Sequence, residues 1–378
     1  MKRNLHRSNS QSTCLLLFAW LALASCCLAA EPIYKPLKGG CYGPFREGQD
    51  PTLGIYPSEA QVKDDIARLK NIVPKIRTYG TENILYRIPE FCKDAGLYCY
   101  PGAWVDEVAG DAAQLTNLVG IGILNYATTK ALVVGNEYLY RHGANEAKLI
   151  GWLREVKAAT GGKPVAASEQ WHIWRDHPNL VPEVDVILIH VHPYWESQDI
   201  TNAANFVLSK YNYIKGLYPA KTVIISETGW PSQGPAYGAA VPGEANHKKF
   251  VKDFVSLAAS NNIDYLFFEI FDEPWKGEGG VGAWWGAFYK DRTMKPGMQS
   301  IVSNNFNISS IAVSGDAVSL NASTFEGNIY KVEKSPSAAP VAWTPLTNFL
   351  GAPGTNLTRT NLLTQSGTGA FYRVRTSF

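Results

Sequence analysis

Between residues 36 and about 302 the chain repeats one pattern: a short apolar run, a polar break, a longer amphipathic stretch, and another apolar run. Such alternation marks βα units that feed a parallel sheet. The apolar runs are GGCYG (39–43), KIRTY (75–79), LYCYP (97–101), ALVVGN (131–136), PVAAS (164–168), VDVILIHVH (184–192), TVIIS (222–226) and DYLFFEIF (264–271). Helical stretches between them include 58–72, 145–160 and 244–260. In the first, Val62, Ile66, Leu69 and Ile72 recur at steps of three and four, which gives one apolar face to lay on a sheet. Eight such units in about 265 residues match the size of an α/β fold of the (β/α)8 TIM-barrel class. The competing architecture, an open doubly wound sheet, requires a glycine-rich phosphate turn after the first strand, and GGCYGPFREG lacks its spacing.

The two ends of the chain differ from this middle. Residues 1–30 read as an export signal: Lys2, Arg3 and Arg7, an apolar run CLLLFAWLALA (14–24), then small residues. The run is short for a bilayer span, so a cleaved segment is expected, with the cut near Ala29 or Ala30. Leu23-Ala24-Ser25-Cys26 also resembles a lipobox, in which Cys26 would carry a lipid anchor. From 304 to 378 the pattern becomes short β-like runs among Gly, Pro, Ser, Thr and Asn, expected to form a small β accessory module of sandwich type. The expected division is therefore 1–30 signal, 31–303 barrel and 304–378 accessory module.

Charge excludes some partners. Removing Lys2, Arg3 and Arg7 from the 35 basic side chains leaves 32 against 33 acidic ones, which gives no footprint for nucleic acid. A monomer without a cofactor is expected. Beyond the signal only Cys41, Cys92 and Cys99 remain; one bridge between Cys92 and Cys99 is conceivable after export, and no spacing suits zinc. His190 and His192 fall near the end of the sixth strand, with no third ligand evident in the sequence.

In a barrel of this kind, residues at the C-terminal ends of the strands line the reactive face. Glu137 follows the fourth strand and Glu227 the seventh. One glutamate after a strand is most often a cap or a solvated loop residue, but two on opposite sides of one mouth meet the demand of glycoside hydrolysis. That reaction needs one protonated and one ionised carboxyl across the bond. Glu169, after the fifth strand, is the rival to Glu137, with helix capping the plainer role. Eight of the eleven tryptophans (Trp104, Trp171, Trp174, Trp195, Trp230, Trp275, Trp284, Trp285) follow predicted strands on that same face, a rim suited to stacking on uncharged sugar rings. Trp171 and Trp174 are the ones expected to pack in the core.

VVGNE (133–137), HPYW (192–195), ETGWPS (227–232) and FEIFDEPWK (268–276), in that order and at those strand ends, resemble glycoside hydrolase family 17. YGPFREGQDP (42–51), RTY (77–79) and the WG at 285–286 are similar to its bacterial branch. The resemblance covers 36–302 and implies a retaining enzyme acting on β-1,3-glucan, with Glu137 as general acid/base and Glu227 as nucleophile. It further implies that Arg77 keeps Glu227 ionised, that Asn136 binds the sugar 2-hydroxyl, and that Tyr194 orients the nucleophile. Glu273 and Lys276 would hold sugar hydroxyls, Tyr42, Tyr79, Trp195, Trp230 and Trp275 would form the sugar platform, and Glu269 is either a site acid or an interior carboxylate.

A retaining hydrolase is the lead reading, a transglucosylase using the same glutamates the second, and a non-catalytic glycan-binding barrel the third. Strands four and seven face each other across a narrow mouth, so the two carboxyls are expected about 5 Å apart, the retaining separation.

Overall fold

The computed structural model of the chain describes residues 37–296 other than 144, residue 298, and six strands between 308 and 376. Residues 1–36, with the expected signal and Cys26, lie outside the described residues.

Seven strands follow one another in chain order: Gly40–Cys41, Lys75–Arg77, Tyr98–Tyr100 continued by Gly102–Ala103, Leu132–Asn136, Val165–Gln170, Val186–His190 and Thr222–Glu227. Each pairs in parallel with the next, apart from a break at Pro101, whose ring nitrogen has no proton to give the ladder. The eighth apolar run, 264–271, departs from expectation, because it pairs by single bridges rather than as a ladder strand. Tyr265 bridges to Ile225 and Phe267 to Gly40, which closes the ring. Beyond that its amides diverge: Phe268 donates to Thr228, Glu269 to Trp285, and Ile270 to Cys41. A closed ring excludes the doubly wound alternative.

The ring is filled from inside by Cys41, Tyr100, Ala131, Val133, Ala166, Leu188, Ile224 and Leu266. A larger apolar layer lies between the strands and the surrounding helices. In the helix Glu59–Leu69 the faces divide as the spacing predicts, with Val62, Ile66 and Leu69 buried. Its start is fixed by a capping box: Ser58 Oγ accepts from the Gln61 amide, and the Gln61 side chain accepts from the Ser58 amide.

Two irregularities decide what faces the mouth. The register shifts between Val133 and Asn136 on the fourth strand, and near Glu227 on the seventh, while the ladder between the fifth and sixth stays regular. A bulge turns the residues beyond it to the other face. In the fourth strand the turn passes through Gly135, whose φ of +79° lies in the left-handed region. At Gly229, two residues past Glu227, a Cβ would stand 1.8 Å from the Phe268 carbonyl oxygen. That contact gives the physical reason for the glycine in ETGW.

Buried charge ties the first helix of the barrel to the barrel's C-terminal end. Arg292 holds Asp65 with Nε at 3.0 Å and Nη2 at 2.8 Å, Arg46 adds a bond at 2.8 Å, and the Tyr42 hydroxyl donates at 3.1 Å. Cys41, Cys92 and Cys99 are buried free thiols, so the conceived bridge between Cys92 and Cys99 is not formed.

The tail belongs to a second compact unit that includes Ser303–Phe378, separate from the unit Lys35–Val302. Its strands form two antiparallel three-stranded sheets. In one, Ala317–Ser323 lies between Asn356–Leu363 and Ile308–Ser314; in the other, Ile329–Ser335 lies between Thr344–Leu350 and Phe371–Thr376.

Removing one partner of a buried ion pair leaves the other charge uncompensated, so Asp65→Ala is expected to lower the barrel's stability by about 3–5 kcal/mol. Urea unfolding followed by tryptophan fluorescence measures it, and a loss under about 1 kcal/mol would show that solvent compensates the two arginines.

Candidate active site

Strands two, four, six and seven each deliver one polar group to a single point in the mouth. Arg77, at the end of the second strand, is 1% exposed. Its Nη1 donates to Glu227 Oε1 at 2.9 Å and also lies 2.9 Å from His190 Nε2, while Nη2 donates to Asn136 Oδ1. The Tyr79 hydroxyl donates to the same Glu227 oxygen at 2.9 Å, and His192 Nε2 contacts Oε2 at 3.1 Å. A carboxylate only accepts, so His192 carries its proton on Nε2.

Glu137 is turned by a left-handed residue conformation, with φ of 51°, at the start of the short helix Tyr138–His142. Gln170 Nε2 at 2.6 Å and His190 Nδ1 at 2.7 Å both meet its Oε1. With two N–H groups aimed at Oε1, the proton of the acid form belongs on Oε2.

The two carboxyls are pushed apart in acidity. Burial raises the Glu137 carboxyl above its usual range, and His192, the Gln170 bond and the Arg77 charge only partly offset it. Burial works against Glu227 ionising too, but the His192 bond and the Arg77 guanidinium outweigh it and pull the carboxyl down to about 2. Burial holds the His190 imidazole well below its usual range and therefore neutral, so Arg77, in direct contact, is the full charge that acts on Glu227.

The cleft around this point measures about 1160 Å³ and is lined by Tyr42, Tyr79, Asn136, Glu137, Trp195, Glu227, Glu273, Trp275 and Lys276 among others. Several sequence expectations change here. Trp230 is fully buried with its Nε1 donating to Val241, and it packs beneath the cleft rather than forming a platform. Tyr194 is buried against Trp195 and Trp285 and donates to the Pro235 carbonyl, so Tyr79 and His192, not Tyr194, hold Glu227. Tyr42 lines the cleft, but its hydroxyl is turned to Asp65. Of the two tryptophans assigned to the core, Trp174 is buried there, whereas Trp171 lines the cleft with Nε1 on Glu196.

Glu169 caps the helix beside Glu137, accepting from the Leu139 amide at 2.8 Å and the Tyr140 amide at 3.3 Å. Glu269 is fully buried and pairs with Lys276, which also pairs with Glu273 at the cleft wall. Burial, and Glu273 nearby, raise the Glu269 carboxyl against the pull of Lys276. It is an interior acid that supports the Lys276 ammonium.

The roles that the sequence did not show are those of Gln170, His190 and His192. The alternation in IHVH, which puts His190 and His192 on one face of a strand, was the available signal. Glu227 supplies the third ligand-type group that the sequence did not show, with ligand atoms of all three within 4.8 Å. The Arg77 guanidinium is in contact with two of the three, His190 and Glu227.

In protein with 13C-labelled glutamate carboxyls, Glu137 should titrate above 4.5 and Glu227 at about 2. The Gln170 N–H stabilises the ionised form of Glu137, so Gln170→Leu should move that titration further up and leave Glu227 in place. A downward move would mean that Gln170 accepts from Glu137 rather than donates to it.

A family model described as the BtgE/BtgC glycoside hydrolase domain matches residues 39–286. The probable glucan endo-1,3-beta-glucosidase btgC of Aspergillus fumigatus is 32% identical over 308 residues, covering 71% of this chain and 44% of that protein. The probable beta-glucosidase btgE of the same fungus is 28% identical over 262 residues, 66% of this chain and 45% of that one. The chain thus spans less than half the length of these curated relatives. The crystal structure of a glycoside hydrolase family 17 beta-1,3-glucanosyltransferase from Rhizomucor miehei is 30% identical with a TM-score of 0.63, covering 71% of this chain and 98% of that one. An endo-laminarinase from Formosa, 21% identical with a TM-score of 0.61 over 70% of this chain and 86% of its own, shares the fold. Through its BtgE/BtgC-type domain, the chain belongs to glycoside hydrolase family 17.

Proposed function

We propose that the chain is a retaining glycoside hydrolase that cleaves β-1,3-glucan by double displacement. One observation carries the reading: two strand-end carboxyls line one cleft and meet different partners, Glu227 bonded by the Arg77 guanidinium and lowered, Glu137 met by Gln170 and His190 and raised by burial. In the first step Glu227 attacks the anomeric carbon while the Glu137 proton passes to the departing glycosidic oxygen. In the second, Glu137 takes a proton from water as the water oxygen bonds to the anomeric carbon and the bond to Glu227 breaks, so the sugar leaves with the β configuration restored. Arg77, Tyr79 and His192 orient and ionise the nucleophile. Because Arg77 pins the Asn136 carbonyl oxygen, the Asn136 amide N–H groups are left to bond the sugar 2-hydroxyl. Trp195 and Trp275 supply apolar faces for the rings, and Glu273 and Lys276 hold hydroxyls. The btgC relatives, named as glucan endo-1,3-beta-glucosidases, favour glucan as substrate.

A second reading, glucan transfer, is favoured by Trp171, Tyr140 and His172, which line the cleft on the Glu137 side where a sugar acceptor could rest in place of water. The Rhizomucor miehei relative is a glucanosyltransferase by name.

The further features expected from sequence belong to the same proposal: export with a cut near Ala30 or a lipid on Cys26, a monomer, and an accessory role for 304–378. Among the described residues no helix is long and apolar enough to cross a membrane. Since the cleft is lined entirely by residues before 286, a chain ending at Ser303 should fold and keep its activity on soluble oligosaccharide. Aggregation or inactivity of that shorter chain would make the tail part of the catalytic unit.

Proton NMR of fresh reactions on laminari-oligosaccharide tests the main reading. The native chain should release β product first, and Glu137→Ala and Glu227→Ala should each lower turnover by several orders of magnitude while glucan binding persists. An α product ahead of mutarotation would sink the double displacement. At high substrate, products longer than the substrate would establish transfer, and their absence would leave hydrolysis alone.

A further inference from the structure

His190 touches both carboxyls, with Nδ1 2.7 Å from Glu137 Oε1 and Nε2 3.3 Å from Glu227 Oε1. By distance alone it could serve either acid. The direction of its bonds separates them. Arg77 Nη1 approaches His190 Nε2 at 2.9 Å, and a guanidinium has only protons to offer, so Nε2 must be the bare ring nitrogen. Ser168 Oγ, 2.7 Å from the same nitrogen, can donate to it as well. The ring is fully buried, and burial keeps it neutral, so its single proton is on Nδ1 and points at Glu137. Toward Glu227 the ring turns a lone pair, and Arg77 lies between the two as donor to both.

From this geometry we infer that His190 is a positioning residue for the acid/base Glu137 and not for the nucleophile Glu227. Its N–H and that of Gln170 converge on Oε1 and so place the transferable proton on Oε2. As the bond between anomeric carbon and glycosidic oxygen breaks, that proton passes to the oxygen and the new bond forms to Glu227. The carboxylate left on Glu137 is then stabilised by the two donors already in place. His192 bonds Glu227 from the same strand, so the two histidines of IHVH divide the two acids between them.

The inference rests on the proposed roles of Glu137 and Glu227, and the test separates the two ideas. A good leaving group needs no proton, so loss of help to Glu137 should hurt the natural substrate and spare an activated one. We expect His190→Leu to lower kcat/KM on laminari-oligosaccharide about 10- to 100-fold. On a dinitrophenyl β-laminaribioside the loss should be less than about threefold. His190→Asn, whose amide can restore a donor near the Nδ1 position, should recover much of the loss. Glu137→Ala should show the same split more strongly. Equal losses of His190→Leu on both substrates, with the split intact in Glu137→Ala, would overturn the inference alone; absence of the split in Glu137→Ala would overturn the acid/base reading itself. Independently of any variant, 15N NMR of histidine-labelled native protein should find His190 protonated at Nδ1 and bare at Nε2, and the reverse tautomer would overturn the inference.

Discussion

An arginine with 1% of its surface exposed persists in a barrel mouth only if its charge is compensated and its terminal nitrogens find acceptors around it. Arg77 is that constraint, and the other polar members of the site are oriented by it. It demands an anion, which Glu227 supplies, and this is why the seventh strand can end on a buried carboxylate. It demands acceptors, which fixes the Asn136 carbonyl oxygen inward and the bare nitrogen of His190 toward it. Because all its contacts are donations, one side chain sets the orientation of an amide, the tautomer of an imidazole and the ionisation of a carboxyl on three other strands.

Glu137 stands outside this direct grip, and its chemistry is correspondingly different. It meets two neutral N–H groups instead of a cation in contact, and burial prevails in raising its pKa. The contrast between the acids thus comes from one uneven distribution of positive charge, with the guanidinium bonded to Glu227 and not to Glu137. Lys276 shows a related arrangement at the cleft wall, where one ammonium lies between Glu269 and Glu273.

Much of the barrel could be read from the sequence because seven of its strands are apolar runs long enough to show, and the helix 59–69 carries a clear three-and-four spacing. The eighth run has the same composition, yet its amides bond to three different partners, and composition does not reveal where a backbone sends its hydrogen bonds. Glu137 and Glu227 were legible because a charged residue closing an apolar strand stands out. Trp230 and Tyr194 were misplaced for the opposite reason: an aromatic residue reads alike whether it faces a cleft or lies one layer beneath it. Gln170 and His190 take their roles from bonds made across strands, Gln170 donating to Glu137 and His190 oriented by Arg77, and residue order along one strand does not reveal such pairings.

The bulges on the fourth and seventh strands carry a consequence of another kind. Past each of them, inward and outward trade places, so the mouth depends on how many residues separate Val133 from Asn136, and Ile225 from Glu227. Inserting or removing a single residue in either interval would leave every chemical group present in the chain and still face the carboxyls away from the sugar. The spacing within each strand therefore matters to the site as much as the acids themselves, and two chains with the same residues at the strand ends but different counts before them would not share a site.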